Sequence, residues 1–237
     1  MQAIKILKQL EKYPIFNNKK IREILHCNRN YAKLYLHRLA KKELIFKIER
    51  DKYTLAQDAL IIASHLVWPA YFSCWTAFRY YNLTEQLPTT LFVLSPRTRK
   101  RQEISFKYNK ILFIRIPVSF MFGYRREIYQ GFEIFIATPE KALLDSLYFK
   151  QISVPEIKDI LSEHKEEFNF ELCTKYILQL KKKSLAKRAG YLLEKMGYDA
   201  YAKLKPLLDG RYLLLSSGGK AAGPKIKKWR IIENVRN

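Results

Sequence analysis

The chain has few of the residues that staple or break a fold: three Cys, eight Gly and nine Pro in 237 residues. Cys27, Cys74 and Cys173 are odd in number and far apart. That excludes a disulfide scaffold and a Cys-based zinc site, and it fits a reducing, cytoplasmic compartment. The four His, at 26, 37, 65 and 164, lack the spacing of metal ligands. Acidic residues are also scarce, with 22 Asp and Glu against 44 Lys and Arg, a net charge of +22. Such a balance argues against a near-neutral metabolic enzyme and for a polyanionic partner. No secretory signal is expected at MQAIKILKQLEKYP, which has neither a long apolar core nor a small-residue cleavage site. From Ala59 to Phe78 no charged residue occurs, a span close to the roughly 20 residues of a membrane helix. Ser64, His65, Pro69, Ser73 and Thr76 interrupt it, so two buried elements are expected there and no membrane partner.

What is present supports a folded, nucleic-acid-facing protein. The chain is 48% hydrophobic and 14% aromatic, enough for a core. The charge is clustered. Residues 1–55 carry 14 basic and 5 acidic side chains, and the last 57 carry 15 and 4. Residues 56–96 are nearly neutral and 151–180 are acidic.

Residues 1–56 read as a winged helix-turn-helix DNA-binding domain. Ile4, Leu7 and Leu10 mark the inner face of a first helix that ends by Tyr13-Pro14. Asn17 suits the cap of a second helix, with Phe16 and Ile21 at the spacing of a hydrophobic staple. Asn28 suits the cap of a third, running to about Lys42. Its Ala32, Tyr35, Leu36 and Leu39 share one side; Asn30, Lys33, Leu34, His37 and Lys41 share the other, with Arg29 at the edge. A helix that enters the major groove needs this division: one face anchors it while the other offers donors to bases and phosphates. Arg29 suits a guanine edge, Asn30 an adenine edge and Leu34 a thymine methyl. Asn17 and Lys19, at the second helix, join them as candidate contacts. Residues 44–55 read as two strands around Glu49-Arg50-Asp51-Lys52, placing Lys47, Arg50 and Lys52 on a wing that meets phosphates.

Residues 57–237 read as a mixed α/β domain, so the class is α+β. A helix is expected over 71–84, strands at 89–95, 111–117 and 132–137, a helix starting at Thr138-Pro139-Glu140, mostly helix over 156–196, and a strand at 212–215. Between the first two strands Arg97, Arg99, Lys100 and Arg101 form a basic run that offers further phosphate contacts. Catalytic signals are weak, and no catalytic residue or cofactor is expected. Gly218-Gly219-Lys220 is similar to phosphate loops but lacks the full motif, and a loop joining two late strands fits better. The alternative to a DNA-binding regulator is a metal-dependent nuclease with an attached DNA-binding module, built on Glu133, Glu140, Lys141 and Asp145.

Several segments in order carry a family resemblance: YFSCWTAFRYYNLTEQLPTTLFVLS at 71–95, FEIFIATPEKALLDSLYF at 132–149, KRAGYLLEKMG at 187–197 and WRIIENV at 229–235. Together with the N-terminal pattern, they resemble the AbiEi family of antitoxins and transcriptional regulators of abortive-infection defence. The resemblance spans nearly the whole chain. It implies a repressor that binds double-stranded promoter DNA of its own operon and counters an AbiEii-like nucleotidyltransferase toxin, with no direct complex required. It also implies that residues 57–237 form the antitoxin domain, and that Arg29, Asn30, Lys33, Arg50 and Lys52 belong to the DNA-reading elements. This chain has Asp51-Lys52-Tyr53 where many members carry an Arg-Gly-Tyr turn.

Overall fold

The computed structural model describes residues 2–86, 88–219 and 222–235 and is of the α+β class. In chain order its helices and strands are α1 (Gln2–Leu10), α2 (Asn18–Leu25), α3 (Arg29–Lys41), β1 (Phe46–Glu49), β2 (Lys52–Thr54), α4 (Ala59–Leu66), β3 (Tyr71–Phe72), α5 (Trp75–Tyr80), β4 (Thr90–Ser95), β5 (Glu103–Phe106) and β6 (Asn109–Arg115). There follow β7 (Tyr124–Tyr129), β8 (Phe132–Ala137), α6 (Pro139–Phe149), α7 (Val154–Glu163), α8 (Phe170–Leu180), α9 (Lys183–Lys195), α10 (Tyr201–Leu204), β9 (Leu213–Leu214), β10 (Lys225–Ile226) and β11 (Ile231–Ile232). The chain divides into two compact units. One holds residues up to Ala70 with Thr89–Arg115 and Arg126–Ile134; the other holds Tyr71–Pro88, Ile116–Arg125 and residues from Phe135 onward.

In the first unit, α1 to β2 share one hydrophobic cluster of Ile6, Leu10, Phe16, Ile21, Ala32, Leu36, Leu39 and Ile45. The caps form where Asn was expected. Asn17 Oδ1 accepts from the Lys20 N–H at 3.1 Å, and Asn28 Oδ1 from the Tyr31 N–H at 2.9 Å. Each satisfies a helix donor that would otherwise lack a partner. The Phe16–Ile21 staple is buried, and Phe16 also bridges Tyr53 of β2 through paired backbone bonds of 2.9 Å. The expected face of α1 is corrected: Ile4 is 71% exposed, while Ile6 and Leu10, four apart, point inward with Leu7 partly buried. An i, i+3 stripe through 4, 7 and 10 and an i, i+4 stripe through 6 and 10 both fit a short apolar helix. Packing selects the second.

β1 and β2 pair antiparallel, with Ile48 as an extra residue between Lys47↔Tyr53 and Glu49↔Lys52. Their turn needs no Gly, because Asp51 itself takes φ +56°, a conformation that Asp tolerates better than most residues. Beyond it, β4 pairs parallel with β6 and β6 antiparallel with β5, and α4 packs on this ladder. Phe46 of β1 meets Phe106 of β5 edge to face at 5.8 Å. β5, at four residues, is too short and β7, with three charged residues, too polar to stand out as strands in the sequence. At Gln130-Gly131, between β7 and β8, both φ values are positive (48° and 80°), as a type I′ hairpin turn requires.

In the second unit β3 pairs parallel with β8, Phe72 opposite Ile136. The helix expected over 71–84 is corrected to a two-residue strand followed by α5. The uncharged stretch 59–78 is thus divided among α4, β3 and the start of α5, and among the described residues no helix is long and apolar enough to cross a membrane. Thr138 caps α6 and Pro139 occupies its first turn. Helices α5, α8 and α9 surround α6. Gly190 of α9 lies against the fully buried Trp229 ring; a Cβ there would come 2.1 Å from ring carbon Cζ3. Glu194 accepts from Trp229 Nε1 and pairs with Lys228, fixing the C-terminal strands on α9.

Candidate functional site

In the first unit, α3, the β1–β2 turn and the segment after β4 each expose cationic side chains. On α3 the faces divide as expected except that Tyr35, on the inner side, is only partly buried. Ala32, Leu36 and Leu39 are buried, whereas Arg29, Asn30, Lys33, Leu34, His37 and Lys41 are exposed. Among the described residues none of these six side chains has a hydrogen-bond or ion-pair partner. Leu34 is 45% exposed, an apolar group presented to solvent between cations. Tyr31, 48% exposed and stacked on Tyr35, extends the outer face. Sequence reading passed over Tyr31, although its place outside the 32–36–39 stripe marks it as an outer residue.

Local contacts hold this face in a set position. Asn18 Nδ2 donates to the Arg29 carbonyl at 3.2 Å, and the Asn18 N–H donates to Asp51 Oδ1 at 3.0 Å. The start of α3, the start of α2 and the hairpin turn are therefore joined through one residue. Lys19 is exposed; Lys20 pairs with Glu23 at 2.8 Å and lies over the Tyr13 ring. Asn17 spends its side-chain oxygen on the α2 cap, so only its amide nitrogen remains to donate outward.

Two residues expected to meet phosphates already have internal partners. Lys52 Nζ lies 3.2 Å from Glu49 Oε2 and donates to the Leu66 carbonyl at 3.2 Å. Arg99, with a side chain only 11% exposed, also pairs with Glu49, donates to the Leu66 carbonyl at 3.1 Å and stacks over Phe113 at 4.0 Å. These two cations fasten the hairpin to the rest of its unit. Lys47, Arg50, Arg97, Lys100 and Arg101 are exposed.

The carboxylates considered for nuclease chemistry do not converge. Glu133 pairs with Arg126 on the surface, and Glu140 accepts from the Asn169 N–H at 3.0 Å, where it supports the start of α8. Lys141 and Asp145 form a fully buried i, i+4 ion pair in α6. Asp145 Oδ2 also accepts from Ser73 Oγ at 2.8 Å and from Tyr71 OH at 3.1 Å. Lys141 Nζ reaches Tyr71 OH at 2.7 Å and lies near the Tyr71, Phe120 and Phe122 rings. Burial pushes the Asp145 carboxyl up and the Lys141 ammonium down from their ordinary values. As arranged, neither group reaches solvent. Beside them Cys74 takes φ +54° at the start of α5, and burial pushes its thiol up to about 12. It is a thiol at neutral pH, the reverse of an activated nucleophile.

Of the glycine-rich segment, the described residues 216–219 follow β9 without entering a helix or strand. Asn234 clasps it, accepting from the Ser216 N–H and donating to the Ser216 carbonyl at 2.9 and 2.8 Å. Lys220 lies outside the described residues. Among the described residues no group of three or more His, Cys, Asp or Glu is placed to hold a metal ion. No protein-family model matches the chain, and no curated protein matches it.

Proposed function

We propose that this protein is a sequence-specific DNA-binding transcriptional regulator. In this reading residues 1–56 are a winged helix-turn-helix, α3 is the reading helix and β1–β2 the wing. The observation that carries it is the outer face of α3. Arg29, Asn30, Lys33, Leu34 and His37 stand free in solvent on a helix whose other face is locked into a hydrophobic cluster. The element order, three helices and then a hairpin bridged to the segment before α2, agrees with a winged-helix arrangement. A net charge of +22 supplies the phosphate attraction that any duplex-binding surface needs.

The resemblance at 71–95, 132–149, 187–197 and 229–235 extends the proposal. The regulator represses its own operon from the cytoplasm and acts as antitoxin to a nucleotidyltransferase-type toxin, with residues 57–237 supplying that activity. Nuclease footprinting of upstream DNA tests the first part: the full chain should protect a discrete site, and Arg29→Ala with Asn30→Ala should erase it. Protection unchanged by that pair would assign the reading face elsewhere. Co-expression with the neighbouring toxin tests the second part, and continued growth arrest would refute it.

A further inference from the structure

A second cationic feature lies in the same unit as α3. A cleft of about 340 Å³ opens between the β1–β2 turn and the segment after β4, lined by Glu49, Arg50, Arg99, Lys100 and Arg101. Resting on the DNA-binding reading, we propose that this cleft is a phosphate site that grips the duplex backbone beyond the base pairs read by α3.

Four observations support it. First, the walls carry four cations and one carboxylate, and that carboxylate is already engaged by Arg99 and Lys52. Second, the side chains of Arg50, Lys100 and Arg101 are exposed and have no ion-pair partner among the described residues. Like charges lining one concavity repel, and a bound anion relieves that repulsion while the concave wall focuses the field. Third, the floor is fixed in advance. Arg99 is held by Glu49, the Leu66 carbonyl and the Phe113 ring, so little order has to be gained on binding. Fourth, the cleft is tied to the reading helix. Its turn residue Asp51 accepts from Asn18, which in turn holds the Arg29 carbonyl, so the spacing between cleft and α3 is set.

The ligand chemistry follows from the donors. Two accessible guanidinium groups and an ammonium suit the several oxygens of a phosphate, where Arg forks bind two oxygens at once. That phosphate belongs either to a DNA backbone diester or to a free phosphate ester. The proposal commits to the diester, and the test separates the two.

Inorganic pyrophosphate is titrated into the full chain by calorimetry. A random-sequence duplex is then titrated across a salt series by fluorescence anisotropy. Wild type is compared with R50Q/K100Q/R101Q, whose three changes are on exposed side chains, and with R29A/N30A. The cleft variant should bind pyrophosphate at least tenfold more weakly than wild type, whereas R29A/N30A should match wild type. For the duplex, each lost phosphate contact should flatten the slope of log affinity against log salt by about 0.9. A loss of about two contacts is expected in the cleft variant. Equal pyrophosphate binding by wild type and the cleft variant would overturn the site. Weakened pyrophosphate binding with an unaltered duplex slope would overturn the diester assignment in favour of a free ester. A flattened slope in the cleft variant, with footprints indifferent to R29A/N30A, would leave the cleft standing and remove α3 as the reader.

Discussion

Replacing Asp145 by Asn keeps the shape of the side chain and removes its charge, which makes it a sharp test of the buried network in the second unit. Three donors converge on this carboxylate: the Lys141 ammonium and the Ser73 and Tyr71 hydroxyls. Both members of the ion pair are fully buried. Removing one partner of such a pair costs about 3–5 kcal/mol, because the other charge stays buried and uncompensated. Each hydroxyl left short of an acceptor adds about 1–3 kcal/mol. Both hydroxyls donate to one oxygen, Oδ2, so an Asn oxygen in its place keeps them and the expected destabilisation is about 3–5 kcal/mol. That is a large part of the 5–15 kcal/mol that holds a typical domain together. The double variant K141M/D145L removes both charges. It leaves Met among the three aromatic rings near the ammonium; Tyr71 keeps the Phe120 carbonyl and Ser73 loses its acceptor at about 1–3 kcal/mol, so it should still be more stable than D145N. Urea unfolding followed by tryptophan fluorescence reads both. A D145N midpoint within 1 kcal/mol of wild type, or a double variant weaker than the single, would refute the reasoning.

Three further outcomes follow from the same geometry. In an open helix Gly→Ala stabilises by about 1 kcal/mol, but at Gly190 the new methyl would overlap the Trp229 ring; overpacking of about 1–3 kcal/mol or more wins, so G190A should lower the melting temperature, and a rise would show that Trp229 can move. Lys187 holds the Asp209 carboxyl at about 2, below its ordinary value of 3.8. A depressed carboxylate contributes its stability above about pH 4 and loses it as pH falls towards 2, so K187M should move the Asp209 titration up towards 3.8 by carboxyl-detected NMR, and an unmoved value would sink that assignment. Glu49→Gln should release Arg99 and Lys52 and speed amide exchange at residues 49–52 and 97–101; unchanged protection would show that Glu49 does not anchor the hairpin.

The parts of this fold that were legible in the sequence are those settled by neighbours in the chain. Asn17, Asn28 and Thr138 cap the helices they precede, because a capping side chain reaches only two or three residues ahead. The 32–36–39 stripe of α3 is likewise local, and it defines the outward residues by exclusion. What escaped depends on distant partners. The Lys52 and Arg99 side chains look like ordinary surface cations until Glu49 and the Leu66 carbonyl are brought to them by the fold. Strand β7, reading YRREIY, lacks clean hydrophobic alternation because only some of its positions face the protein. Lys141 was legible as a first-turn helix residue, but its complete burial was not, since Lys is almost never buried without a partner that the sequence alone does not reveal.

The most direct measurement of the central claim is a ratio of affinities: the full chain for its footprinted upstream duplex against a scrambled duplex of equal length and salt. The side chains Arg29 and Asn30 each stand to contribute about 1–3 kcal/mol of base discrimination, so R29A/N30A should lower that ratio by about 30-fold or more while leaving the scrambled duplex bound as before. A wild-type ratio near one, or a ratio that survives the double substitution, would contradict the assignment of α3 as a reader of DNA sequence.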